Sequence, residues 1–186
     1  MPRLSILSCL LLAISSTCFA QDDDSTFSVE SVTSTCRQLS TALPGKVFSP
    51  GSTPYSSSVA SYFYIQNRLS PSCFVKPTTS QDVSLAINVL GKTKSKFAVK
   101  GGGHATNRYW SNIDNGITID LAAMKKITVN EQKLTAAVGP GALSEDVYKE
   151  LDARGMSFLG GRVADVGVAG FTTGGMFCIV SQLARF

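Results

Sequence analysis

The sequence predicts a mixed α+β domain, and three observations carry that prediction. Short runs with strand-like alternation are interleaved with runs of helical apolar spacing, so neither an all-helical nor an all-strand architecture fits. Gly and Pro punctuate these runs at regular intervals. The chain has 186 residues, 44% of them hydrophobic. That is enough for one domain with a core and too apolar for a disordered chain.

The N-terminus reads as an address. Met1-Pro2-Arg3 carries one positive charge, and residues 4–14 are apolar apart from Ser5 and Ser8. Small residues then lead through Ala20 to Gln21-Asp22-Asp23-Asp24. This pattern describes a secretory signal peptide over residues 1–20. The apolar run is shorter than the ~20 residues a spanning helix needs. No later stretch reaches that length, so the expectation is a secreted protein without a membrane anchor. Cleavage would leave Cys36, Cys73 and Cys178. In an oxidising compartment the simplest pairing is Cys36 with Cys73, clamping an N-terminal arm (residues 21–70) onto the body and leaving Cys178 as a thiol.

The elements follow in order. Residues 21–28 are acidic and Ser-rich, which predicts a loose segment. Val29, Val32, Cys36, Leu39 and Leu43 have helical spacing, and Pro44-Gly45 ends the run. Lys46-Val47-Phe48 predicts a short strand, and residues 55–69 a short helix and then coil. The main domain starts near Pro71, with Cys73-Phe74-Val75 as a strand. Thr79-Ser80 caps a helix whose predicted core face is Val83, Ala86, Ile87 and Leu90. Residues 96–100 alternate like a strand, and residues 116–121 form another. Ile127-Thr128-Val129 and residues 134–138 flank Asn130-Glu131 as a hairpin. Ser144 is expected to cap a helix carrying Val147 and Leu151 and ending at Gly155. No internal repeat is visible.

Charge narrows the function classes. Seventeen Lys and Arg against thirteen Asp and Glu give a net charge of +4, unclustered, which speaks against a nucleic-acid binder. Lys92, Lys94, Lys96 and Lys100 read as solvated helix ends or strand edges. A single histidine argues against a multi-histidine zinc site.

Glycine concentrates in three loops: Gly101-Gly102-Gly103-His104 after a strand, Gly139-Pro140-Gly141 between a strand and a helix, and Gly160-Gly161-Arg162 leading to Gly167-Val168-Ala169-Gly170. Each alone could be a tight turn. Together they suit a pyrophosphate, because glycine lets backbone approach a ligand and successive N–H groups form an anion-binding concavity. There is no Gly-x-Gly-x-x-Gly opening a helix, no phosphate-loop Gly-Lys-Ser/Thr and no Gly-x-Ser-x-Gly. His104 stands where its side chain would project into whatever the first loop cradles. A neutral imidazole is a nucleophile, and the activated ring methyl of a flavin is an electrophile it could bond.

The ordered blocks Phe97-Ala98-Val99-Lys100-Gly101-Gly102-Gly103-His104, Ile117-Thr118-Ile119-Asp120-Leu121, Val138-Gly139-Pro140-Gly141-Ala142, Gly160-Gly161-Arg162 and Val166-Gly167-Val168-Ala169-Gly170 resemble a known domain. It is the FAD-binding domain shared by vanillyl-alcohol oxidase and para-cresol methylhydroxylase (the PCMH type), in its berberine-bridge-enzyme-like branch. The resemblance runs from about Cys36 to Gly175. It implies the N-terminal part of a PCMH-type FAD-binding domain: a small mixed α/β subdomain followed by an incomplete second one, over residues 71–175. It implies that Lys100, Gly101, Gly102, Gly103 and His104 wrap the FAD pyrophosphate, with His104 covalently bonded to the flavin. It implies further that Asn107, Gly161, Val166, Gly167 and Gly170 line the cofactor. The implied activity is oxidation of a small-molecule substrate, such as an alcohol, sugar or alkaloid, with dioxygen as acceptor.

Departures from the family pattern matter too. Val163 stands where some relatives carry a second flavin-tethering Cys, leaving His104 as the only tether. Asn107-Arg108-Tyr109 stands where many relatives read Asn-Pro-Gly, so crowding of that turn is expected. Residues 176–186 do not resemble the family, and the expectation is a chain shortened by a retained intron or frameshift. A non-catalytic secreted protein that keeps the scaffold and binds a nucleotide or partner is the alternative reading. No acid–base catalyst stands out. Tyr109 and Asp120 are polar residues near the loop, Asp120 is expected to end a strand, and Trp110 to pack. No Asn-x-Ser/Thr sequon is present.

Overall fold

The computed structural model describes residues 29–175. The expected signal peptide, the acidic segment after it, and the tail of residues 176–186 with Cys178 lie outside the described residues.

Among the described residues, five α-helices and six strands follow in order: α1 (Val29–Ala42), β1 (Val47–Phe48), α2 (Thr53–Ala60), β2 (Cys73–Val75), α3 (Ser80–Thr93), β3 (Phe97–Lys100), β4 (Ile117–Asp120), β5 (Ile127–Asn130), β6 (Thr135–Val138), α4 (Ser144–Asp152) and α5 (Val168–Thr173). The main sheet has the order β1-β2-β4-β3. β2 and β3 both pair parallel to β4, and β1 pairs antiparallel to β2. The carboxyl ends of three parallel strands therefore lie along one edge, the usual place for a ligand in such sheets. β5 and β6 form a separate antiparallel hairpin.

Period-two alternation sorts the sheet residues onto two faces. Cys73, Val75, Ile117 and Ile119 face α1 and α3 and build a core with Val32, Cys36, Leu39, Leu43, Ala86 and Leu90. Each fully buried Leu or Ile there contributes about 1.5–3 kcal/mol. On the opposite face Phe74 packs with Tyr55 and Tyr62, and Tyr55 meets the Phe74 ring edge-on. A third cluster joins the hairpin to α4 through Ala142, Val147 and Leu151.

Three expectations are corrected. In α3, Ile87 is 41% exposed and Val83 half-buried, while Asp82, Ala86 and Leu90 form the inner line. The helix is rotated by its cap. Thr79 Oγ1 accepts from Asp82 N, and Asp82 Oδ2 accepts from the N–H groups of Thr78 and Thr79 and from Lys46 Nζ. Lys46 and these donors hold the Asp82 carboxyl well below the usual carboxylate range. The hairpin turn falls one step later than expected. Asn130 stays in β5 and its side chain accepts from Lys133 N, which places Leu134 outside β6 at φ +51° and 75% exposed. Ser144 is the first residue of α4 rather than its cap, and its hydroxyl donates to the Val166 carbonyl at 3.0 Å. The acidic partner at that end is Asp146, which accepts from Leu143 N.

Cys36 and Cys73 form a disulfide that ties α1 to β2 across 37 residues of sequence. Closing a loop of that size in the unfolded chain is worth about 4 kcal/mol by loop-closure entropy. Replacing both cysteines by serine is expected to lower the unfolding free energy by a few kcal/mol in urea titration. A midpoint equal to that of the wild type would show that the crosslink is energetically idle.

Candidate functional site

The site begins where β3 and β4 end side by side. Lys100 and Asp120 are register partners, their side chains 3% and 1% exposed, and Lys100 Nζ donates to Asp120 Oδ1 at 3.2 Å. Ser58 Oγ donates to Asp120 Oδ2 at 2.9 Å, and Ala122 N donates to Asp120 Oδ1. Lys100 Nζ sits 5.3 Å from the centroid of the Tyr62 ring. Burial and the Asp120 charge push the Tyr62 phenol well above its ordinary value, so it stays a neutral donor, bonded to the Ser111 carbonyl at 2.7 Å. The Lys100 ammonium thus lies beneath the glycine loop, in the protein rather than in the cradle above it.

The first glycine loop rests on this floor. Gly103 has φ +76°, and a Cβ there would come within 2.9 Å of Lys100 Cε. Gly102 passes directly over Gly167: a Cβ on Gly102 would lie 2.5 Å from Gly167 N, and one on Gly167 would strike Gly102 N. Only two glycines allow the backbones of residues 101–103 and 166–168 to cross this closely. Among the described residues, none of the N–H groups of residues 101–105 donates to a backbone carbonyl, although Gly103 O accepts from Phe63 N. The loop therefore presents a row of unused donors. Residues 139–141 differ. Gly139 N and Gly141 N are bonded to the Lys126 and Met124 carbonyls, and a Cβ at either glycine would strike the backbone of Met124 or Leu121. That loop is a backbone crossing with its donors already in use.

His104 projects from the loop into an aromatic corner. Its ring stacks on Phe63 with centroids 4.2 Å apart and meets Tyr64 edge-on at 5.8 Å. Nε2 is buried and makes no hydrogen bond, although Asp165 Oδ1 lies 3.3 Å away. Among the other sequence-predicted residues, Gly161 is buried and its carbonyl accepts from Tyr148 Oη. Gly167 lies against the first loop, the Val166 side chain lies against Gly161, and a Cβ at Gly170 would meet open space. Asn107 is exposed, with its Oδ1 bonded by Thr106 Oγ1. Tyr109 adopts φ +72°, a left-handed conformation that favours glycine, and Arg108 lies over its exposed ring. Trp110 does not pack as expected: the left-handed Tyr109 turns it outward, and it is 71% exposed. Sequence reasoning missed Ser58, Tyr62, Phe63, Tyr64 and Asp165. The run Tyr62-Phe63-Tyr64 was its only visible trace.

Residues 71–184 match the family described as FAD binding domain. An FAD-dependent monooxygenase of Emericella nidulans (sdcF) is 41% identical over 142 residues, covering 75% of this chain and 30% of that protein. An FAD-dependent monooxygenase of Aspergillus calidoustus (drtC) is 33% identical over 165 residues, covering 86% of this chain and 32% of that protein. Among solved structures, the Physcomitrella patens BBE-like 1 protein superimposes with a TM-score of 0.65 at 27% identity, over 73% of this chain and 30% of that one. The 6-hydroxy-D-nicotine oxidase of Arthrobacter nicotinovorans gives 0.63 at 26% identity, over 69% and 28%. The chain spans about a third of the length of the curated relatives it matches. It belongs to the FAD binding domain family, and its fold is part of the PCMH-type domain of the berberine-bridge-enzyme-like oxidases.

The floor of the site gives a direct test. Asp120→Asn strands a buried ammonium and is expected to cost about 3–5 kcal/mol of stability. Adding Lys100→Met to it should recover much of that loss. Denaturant titration of the single and double variants measures both, and a single variant within 1 kcal/mol of the wild type would contradict the role given to the pair.

Proposed function

From membership in the FAD binding domain family, we propose that this chain is the FAD-binding portion of a secreted oxidoreductase whose flavin is covalently held by His104. The observation that carries the proposal is the pairing of a glycine cradle with an unsatisfied imidazole. The free N–H groups of residues 101–105 suit a pyrophosphate, and a Cβ at Gly102 or Gly103 would strike the Gly167 backbone or Lys100 Cε and displace the loop that carries them. The His104 ring stands at the end of this loop, with Nε2 buried beside Asp165 Oδ1 at 3.3 Å, and no hydrogen bond among the described residues engages its Nδ1. The residues present therefore fit the cofactor.

In this role residues 101–105 hold the diphosphate by backbone N–H groups. The Lys100–Asp120 pair keeps the loop in shape from below. Gly161, Val166, Gly167 and Gly170 line the path away from the loop, with Asn107 at its outer end. Phe63 and Tyr64 confine the His104 ring to one orientation, so its nucleophilic nitrogen is positioned before the bond forms. The single tether agrees with Val163, which offers no second nucleophile. FAD bound there supplies two-electron acceptance from a substrate, and dioxygen takes those electrons onward. The substrate class we propose is a small alcohol, sugar or alkaloid-like molecule. Residues 1–20 route the protein to the outside, where the Cys36–Cys73 bridge is stable.

The visible spectrum of the purified chain, before and after acid precipitation, tests this. The expected result is a flavin band that stays with the pellet, and its loss from the pellet in His104→Ala with flavin still bound before acid. A pellet colourless in the wild type would overturn the tether, and a colourless native protein would overturn the flavin assignment for this chain.

A further inference from the structure

His104 and Asp165 are 61 positions apart in sequence and meet only because the two glycine segments cross. The segment bearing Asp165 is fixed on both sides of it. Ser144 N and Ser144 Oγ both donate to the Val166 carbonyl, at 2.9 and 3.0 Å, and Glu145 N donates to the Ala164 carbonyl at 3.0 Å. Leu143 and Gly167 form an isolated bridge next to it. The start of α4 thus pins residues 164–167, while the Asp165 carboxylate itself remains 46% exposed. Its Oδ1 stands 3.3 Å from the buried Nε2 of His104. Phe63 covers one face of the imidazole and Tyr64 stands at its edge. Neither ring offers Nε2 a carboxylate or carbonyl acceptor.

We propose that Asp165 is a positioning residue for the tether, accepting the Nε2–H of His104 so that Nδ1 carries the free lone pair that bonds to the flavin. This rests on the covalent reading given above and assigns the residue that enables it. The logic is that of any paired imidazole: an acceptor on one nitrogen fixes the tautomer and raises the basicity of the other. The overall step balances as follows. The new bond joins Nδ1 to the ring-methyl carbon. One proton leaves that carbon. The imidazole releases one proton, through Nε2 to the Asp165 carboxylate and thence to solvent. Two electrons remain on the flavin, and dioxygen takes them to give hydrogen peroxide. Asp165 is exposed enough to exchange its proton with water, so it is restored after each tether is made.

The test uses the full chain, prepared free of flavin and incubated with FAD in aerated buffer. Two quantities are followed over time: total flavin bound, from the native spectrum, and flavin retained by the acid-precipitated pellet. Asp165→Asn and Asp165→Ala should bind flavin within about twofold of the wild type yet form the acid-stable bond at least tenfold more slowly. Asp165→Glu, which keeps the carboxylate, should recover part of the rate. A merely structural residue would lower binding and bonding together and would not be rescued by Glu. Equal bonding rates in the wild type, Asp165→Asn and Asp165→Ala would overturn this proposal and leave the His104 tether standing. A wild-type pellet without flavin would overturn both. If Asp165→Ala binds no flavin, the Asn variant decides: rapid bonding there overturns the proposal, and slow bonding with Glu rescue supports it.

Discussion

The close crossing of Gly102 over Gly167 is the constraint from which the site follows. Two backbones separated by less than the room for one methyl group can be built only where neither residue carries a Cβ. That contact brings a loop from the end of β3 against a segment that follows α4, although they are far apart in sequence. Once they touch, the N–H groups of residues 101–105 are left without backbone partners, and His104 Nε2 and Asp165 Oδ1 come within 3.3 Å. Adding a methyl group at a rigid backbone contact costs about 1–3 kcal/mol. The crossing is thus a steric condition rather than a large source of stability, and its value lies in what it places together.

Beneath it, the Lys100–Asp120 pair has a different character. Two charges lifted out of water gain little net stability from one another, but neither tolerates the loss of its partner. The pair therefore acts as a lock. β3 and β4 must stay in register for the ammonium to be met, and Ser58 and the Tyr62 ring close the lock from α2 and the segment after it. Gly103 sits directly on the Lys100 chain, so the register of the strands sets the height of the loop. The disulfide acts on the far side of the sheet, fixing α1 on β2 and with it the frame on which the parallel strands are ordered.

Much of this was legible in the sequence, for definable reasons. Strands such as residues 97–100 and 117–120 announce themselves by alternation and β-branched content, and α1 by the spacing of Val32, Cys36 and Leu39. The glycine loops and His104 were visible because glycine in such clusters has few other uses. What was not legible depends on tertiary contact. Ile87 has the right spacing for the core, but the Asp82 cap and its bond to Lys46 rotate α3 away from it. Ser144 looks like a cap, yet its hydroxyl serves the Val166 carbonyl. Asp165 looks like a loop carboxylate, and nothing local reveals that the crossing delivers it to the only histidine. Lys100 looked like a pyrophosphate ligand, while its ammonium is turned into the core by Asp120.

The central claim is that the crossing of the two glycine segments makes the flavin cradle. Its most direct test is the dissociation constant of FAD for Gly102→Ala, measured by fluorescence titration in the His104→Ala background so that no covalent bond intervenes. Gly91→Ala, at a helical site with open space around it, serves as the control. The account predicts roughly thirtyfold weaker binding for Gly102→Ala, corresponding to about 2 kcal/mol, and unchanged binding for the control. Equal affinities in both variants would contradict it.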